Sequence, residues 1–200
     1  MVKIIFVQLC LAVLILGCRE HQTSDSFEMK RKFNETMATE LNNKAEELLD
    51  SNPDSALALL DSALKYNGED YILYFNLGHV YISKKEYEKT IEVYKQMLLR
   101  KPDFVQGIIF FGMLYEKTGH PDSAKLQFQR AIDICDMRQK KSEKGQNQNQ
   151  IDRVFALYFL DSASAKPQLE DLAKRYPENG LLKILKKSNR IQVINGFLSN

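Results

Sequence analysis

Residues 71–104 read YILYFNLGHVYISKKEYEKTIEVYKQMLLRKPDF, and their spacing decides the fold. Tyr74, Leu77, Gly78 and Tyr81 fall at i, i+3, i+4 and i+7, so they share one face of a helix predicted from about Tyr71 to Ser83. Lys84, Lys85 and Glu86 make a polar break. A second helix is predicted from about Tyr87 to Arg100, with Ile91, Tyr94, Met97 and Leu98 at helical spacing. Pro102 lacks an amide hydrogen and disfavours helical geometry at Lys101, which ends the unit.

The unit recurs on both sides of this stretch. Pro53-Asp54-Ser55-Ala56 returns 68 residues later as Pro121-Asp122-Ser123-Ala124, and 68 is twice 34. Laid out at that period from Met37, Tyr71 and Val105, Leu77-Gly78 aligns with Phe111-Gly112 and Tyr81 with Tyr115. Ala56 aligns with Thr90 and Ala124, Leu60 with Tyr94 and Phe128, and Ala63 with Met97 and Ala131. No insertion is needed over 102 residues. Each proline of the outer units stands where its missing N–H matters least, the first turn of a helix, with Asp54 or Asp122 beside the positive helix end.

These positions resemble the tetratricopeptide repeat. The middle unit supplies the signature through Tyr74, Leu77, Gly78, Tyr81, Tyr94 and Pro102, and the third through Phe111, Gly112, Tyr115, Ala124, Phe128 and Ala131. The resemblance implies an all-α fold, a right-handed superhelical array of antiparallel helix pairs. In such an α-solenoid small residues let helices approach and large ones fill the adjoining gaps. Three repeats are expected within residues 30–138, at 37–70, 71–104 and 105–138. The first is degenerate, with Glu40, Asn43, Lys44 and Glu47 at signature positions; its first helix is expected to begin near Lys30 and to bury Phe33, Met37, Leu41, Ala45 and Leu48.

Residues 139–150, rich in Lys, Gln and Asn, read as a solvent-exposed polar loop. Residues 151–200 read as a C-terminal helical cap, with helices at 151–160 and 167–176; a degenerate fourth repeat is the alternative. From Gly180 onward, Leu181, Leu182, Ile184 and Leu185 alternate with Lys183, Lys186, Lys187 and Arg190. A capping helix is expected there, with a basic amphipathic membrane contact as the sharper reading.

The N-terminus stands apart. Lys3 precedes a thirteen-residue run, 4–16, interrupted only by Gln8; this is short for a membrane span and suits a secretory signal. Ile15-Leu16-Gly17-Cys18 resembles a bacterial lipoprotein box, which implies removal of residues 1–17, lipidation of Cys18 and a polar tether over 18–29. Arg19, where an Asp would retain the protein at the inner membrane, favours the outer membrane of the cell envelope. Once Cys10 has left and Cys18 carries lipid, Cys135 has no partner for a disulfide and is expected to act as a small buried hydrophobe.

With 28 Lys and Arg against 26 Asp and Glu, the 200-residue chain has a formal charge of +2, too little for a nucleic-acid field. There is no glycine-rich phosphate loop, paired metal-ligand cysteine, His-Glu-x-x-His or nucleophile elbow, so neither catalysis nor a cofactor or metal is expected. By the resemblance, partners dock on an inner surface carrying Leu41, Ala45, Ile72, Phe75, His79, Ile82, Ile109 and Met113, together with Leu48, Ser83, Gln106, Glu116 and Lys117. The chaperone-type carboxylate clamp is absent: its positions hold Leu41, Ala45, Asn76, Gln106 and Phe110, of which only Asn76 fits.

The inner surface is apolar and suits an amphipathic helix or extended apolar peptide, unless the C-terminal helices fill it. The expected function is a membrane-anchored envelope scaffold that binds a protein or peptide partner. The alternative is a periplasmic or surface capture protein that delivers a peptide or small apolar ligand to an envelope transporter.

Overall fold

The computed structural model describes residues 27–141 and 145–198; Cys18, the signal and most of the expected tether lie outside them. The described residues form ten helices and no strand. These are α1 (27–46), α2 (Pro53–Tyr66), α3 (Tyr71–Ser83), α4 (Tyr87–Arg100), α5 (Val105–Lys117), α6 (Pro121–Lys140), α7 (Gln146–Leu160), α8 (Ser162–Arg175), α9 (Gly180–Lys187) and α10 (Arg190–Leu198). Each helix from α2 to α8 packs on the next, giving an α-solenoid of helix pairs.

Side-chain caps start several helices. Asn52 accepts from the Ser55 amide at 3.1 Å with Pro53 beginning α2, and Asp70 accepts from Ile72 at 3.0 Å. The turn inside the second and third repeats needs one left-handed residue. Lys85 takes it with φ 59° and Gly119, one period later, with φ 80°. In both, the following amide reaches back to a tyrosine carbonyl at 2.8 Å, Glu86 to Tyr81 and His120 to Tyr115, closing the helix end.

Between repeats, arginines tie down the turns. Gly68 O accepts from Arg100 Nε at 2.7 Å and from Tyr74 Oη at 2.9 Å, and the Arg100 guanidinium lies 4.2 Å from the Tyr74 ring centroid. One unit on, Arg138 donates to Asp103 O at 2.6 Å and to its carboxylate at 3.0 Å.

The core falls into two clusters that meet at α3. Ala38, Ala45, Ala56, Leu60 and Ala63 pack with Leu73, Leu77 and Val80 on one side of α3. On its other side Ile82 joins Tyr94, Met97 and the larger cluster that runs through α5, α6 and α7 into α10. A helix lined by core on two sides must be apolar nearly all round, as the sequence of α3 is.

Three expectations need correction. Phe33 is 57% exposed, because α2 ends at Tyr66 and α1 projects past it; the two rings meet only edge-on at 6.3 Å. Ala45 is buried as expected and Met37, Leu41 and Leu48 are half-buried, while Ala38 and Asn42 complete the buried face. The polar stretch 139–150 is mostly helical, since α6 runs to Lys140 and α7 starts at Gln146 after left-handed Gly145. Its Asn149 is buried and donates to Cys135 O at 2.9 Å, so polarity there serves a helix seam. Finally, α8 begins before Pro167, because the Asp161 carboxylate accepts from the amides of Ala163 and Ser164, both at 3.1 Å.

Candidate functional site

The glycine positions set the helix spacing on which any inner surface depends. A Cβ on Gly78 would stand 2.1 Å from Tyr94 Cε1, and one on Gly112 2.6 Å from Phe128 Cε1. In the second and third repeats an aromatic ring from the second helix therefore sits directly against the backbone of the first. Tyr94 and Phe128 are fully buried, as are Ala124 and Ala131 to within 1%. Phe111 stacks on Tyr115 at 4.4 Å, while Tyr81 receives Lys89 5.4 Å above its ring. Pro102 lies in the turn after α4, where its carbonyl accepts from Arg130 at 2.5 Å.

The eight residues expected on the inner surface divide into two groups. Leu41, Ile72, Phe75 and His79 are half-buried. Ala45, Ile109 and Met113 have no exposed area and Ile82 only 3%, so they present nothing to a partner in this conformation. The cause at the third repeat is the chain itself: Ile109 and Met113 belong to one buried cluster with Phe155, Val193, Ile194 and Leu198 of α7 and α10.

The half-buried group is organised around an aromatic cluster. Phe75 meets His79 at 4.6 Å, Phe104 at 5.2 Å and Phe110 at 5.5 Å between ring centroids, nearly perpendicular in each case. Phe110 also lies 5.2 Å from His79. Burial pushes the His79 imidazole down to about 4, with only a weak opposing influence from Asp50, so it is neutral at pH 7 and adds to the apolar character.

Below this cluster runs a polar seam that sequence reading did not single out. Asn76 Nδ2 donates to Asn42 Oδ1 at 2.9 Å and to Glu46 Oε1 at 2.7 Å, and Asn42 Nδ2 donates to the same Glu46 oxygen at 2.8 Å. The signal was available: Asn42 and Asn76 occupy the same place in consecutive units. A second buried polar group joins α5 to α7, where Asp152 accepts from Gln106 at 2.9 Å and from Gln148 at 2.7 Å. Burial raises the Asp152 carboxyl, against those two hydrogen bonds. Cys135 is fully buried and free, and burial with the nearby Asp152 pushes its thiol up to about 12; it is packing, not a nucleophile.

Family models of the tetratricopeptide repeat match residues 47–106 and 106–136. Residues 47–136 carry tetratricopeptide repeats. These repeats are modules for binding proteins and peptides, and the aromatic-on-glycine seams fall within the matched residues. Among solved structures, MamA is 14% identical, with 71% of this chain and 81% of that chain covered and a TM-score of 0.52. YrrB, described as a TPR protein with an unusual peptide-binding site, is 18% identical over 78% of this chain and 75% of its own, with a TM-score of 0.46. At these identities the likeness to MamA concerns the fold alone, and no residue role passes from either protein. No curated protein sequence matches the chain.

Proposed function

We propose that this protein is a non-catalytic scaffold of the bacterial cell envelope, held to the outer membrane by lipid on Cys18, that recruits a protein or peptide partner through its tetratricopeptide array. The observation that carries the reading is the half-open apolar face of α1 and α3. Leu41, Ile72 and Phe75 stand on it beside a neutral His79, an arrangement suited to burying an apolar helix or strand rather than to moving protons or electrons.

The anchor follows from the sequence. Each buried methylene of an acyl chain contributes about 0.8 kcal/mol, so several chains on Cys18 hold a protein durably at a membrane. The repeats then work close to that surface.

The test uses full-length protein extracted from membranes. Ile72→Asp is preferred to Phe75→Asp, because Phe75 also packs on Tyr94 and Phe104 and its loss would disturb the fold. A stoichiometric partner that co-purifies with the wild type should disappear with Ile72→Asp while the melting curve is preserved. Retention of that partner by Ile72→Asp, or a Cys18→Ser protein still in the membrane fraction, would overturn the corresponding half of the proposal.

A further inference from the structure

Helix α10 leaves the stacking order. Helices α7, α8 and α9 pack in succession, but α10 turns back to lie on α5. Its attachment is specific. The Arg190 guanidinium pairs with both carboxylate oxygens of Glu116, each at 2.5 Å, and donates to Phe159 O as well. Asn195 Oδ1 accepts from Lys117 Nζ at 2.8 Å. The Phe197 ring lies 5.4 Å from Phe110 and 5.9 Å from Phe155, and Val193, Ile194 and Leu198 are buried to within 5%. The opposite face faces solvent, with Ile191 69% exposed.

The helix also carries its own start signal. Gln192 N donates to Asn189 Oδ1 at 2.9 Å while Asn189 N donates to Gln192 Oε1 at 2.8 Å, a reciprocal capping box. The preceding Ser188 is extended, so α9 and α10 are separate units joined by a short link. A nine-residue helix is too short to be stable by itself, and its order derives from the surface it lies on.

Phe110 connects this docked helix to the open face. Its ring meets Phe75 and His79 as well as Phe197. The surface occupied by α10 and the surface left open are therefore continuous.

We propose that α10 is a tethered occupant of the partner-binding surface, and that the partner is an amphipathic helix of the same chemistry: a cationic side chain at its N-terminal end, followed by an aliphatic and aromatic stripe. This deepens the scaffold reading and rests on it. The cation takes the place of Arg190 on Glu116, and the stripe takes the places of Val193, Ile194 and Phe197. A partner helix longer than α10 continues past Phe110 onto Phe75 and Ile72, which remain half-buried with α10 docked. Those added contacts let it displace a competitor favoured by its tether.

The experiment uses full-length protein and a fluorescein-labelled peptide of residues 188–198. In the Arg190→Glu variant, which loosens α10 from Glu116, the peptide is expected to bind at least about tenfold more tightly than to the wild type. Adding Glu116→Arg to that variant re-forms the pair with the charges exchanged and is expected to restore the weak binding. Val193→Asp provides an independent route to an undocked α10, and far-UV dichroism with thermal melting reports whether the rest of the array stays folded.

Equal peptide affinity in wild type and folded variants would overturn the proposal. So would loss of the cooperative melt in both Arg190→Glu and Val193→Asp, since α10 would then be an integral cap. Either result leaves the scaffold reading standing if Ile72→Asp still releases the membrane partner. Loss of that reading alone would show as an Ile72→Asp protein that keeps its partner.

Discussion

Asn42 and Asn76 stand one 34-residue period apart and are joined by a 2.9 Å hydrogen bond between their side chains. Both are 7% exposed, and both donate to the same Glu46 oxygen. The pair sews the irregular first repeat to the regular second one. Asn76→Ala should therefore destabilise the fold by about 1–3 kcal/mol, through the stranded acceptors as much as through the lost bonds. In a urea-unfolding double-mutant cycle, the Asn42→Ala, Asn76→Ala protein should lose less than the sum of the single losses. Strict additivity would show that the two side chains act independently.

Tyr94 sits with its ring against Gly78 and with its hydroxyl buried and unpaired among the described residues, in surroundings that push its phenol well up. Two opposite outcomes are expected at this one contact. Gly78→Ala forces a methyl into the ring and should cost about 1–3 kcal/mol. Tyr94→Phe keeps the ring and removes the unsatisfied oxygen, and should raise stability by about 1 kcal/mol. Chemical denaturation of the two proteins decides both, and a destabilised Tyr94→Phe would reveal a partner for the hydroxyl.

His79 provides a pH signature. Its folded pKa of about 4 lies below the 6.5 of an unperturbed histidine. Between those values the unfolded chain binds a proton that the folded chain refuses, so this contribution is complete above pH 6.5 and is lost as pH falls toward 4. The loss is at most about 3 kcal/mol. Urea midpoints measured from pH 7.5 to 4 should fall more steeply for the wild type than for His79→Leu. Parallel curves would place the imidazole in contact with water.

The period was legible because the features it uses are tied to residue type. Only a residue without a side chain admits an aromatic ring against a helix backbone, so Gly78 and Gly112 announce themselves, and Pro53 and Pro121 mark helix starts. Burial on the inner surface was legible only as an alternative, filling by the C-terminal helices, and not residue by residue. Ile109 and Met113 look like ligand-facing residues in their own repeat, and nothing local says that a helix 80 residues downstream will cover them. The first helix misled for a related reason: Phe33 fits the helical stripe, yet α2 stops at Tyr66 and leaves it uncovered. Asn149 was read as loop because it is polar, while its burial depends on the Cys135 carbonyl of a neighbouring helix.

The return of α10 to α5 also shapes how the chain reaches this structure. The hairpins close contacts between segments adjacent in sequence, which form quickly. The Arg190–Glu116 pair spans 74 residues and the Tyr87 hydroxyl meets Leu198 O across 111. Such closures have a large entropic barrier and require the intervening helices to be in place. Docking of α10 is thus expected as a late event in folding, and until it occurs the part of α5 that α10 covers stays open to solvent or to another chain.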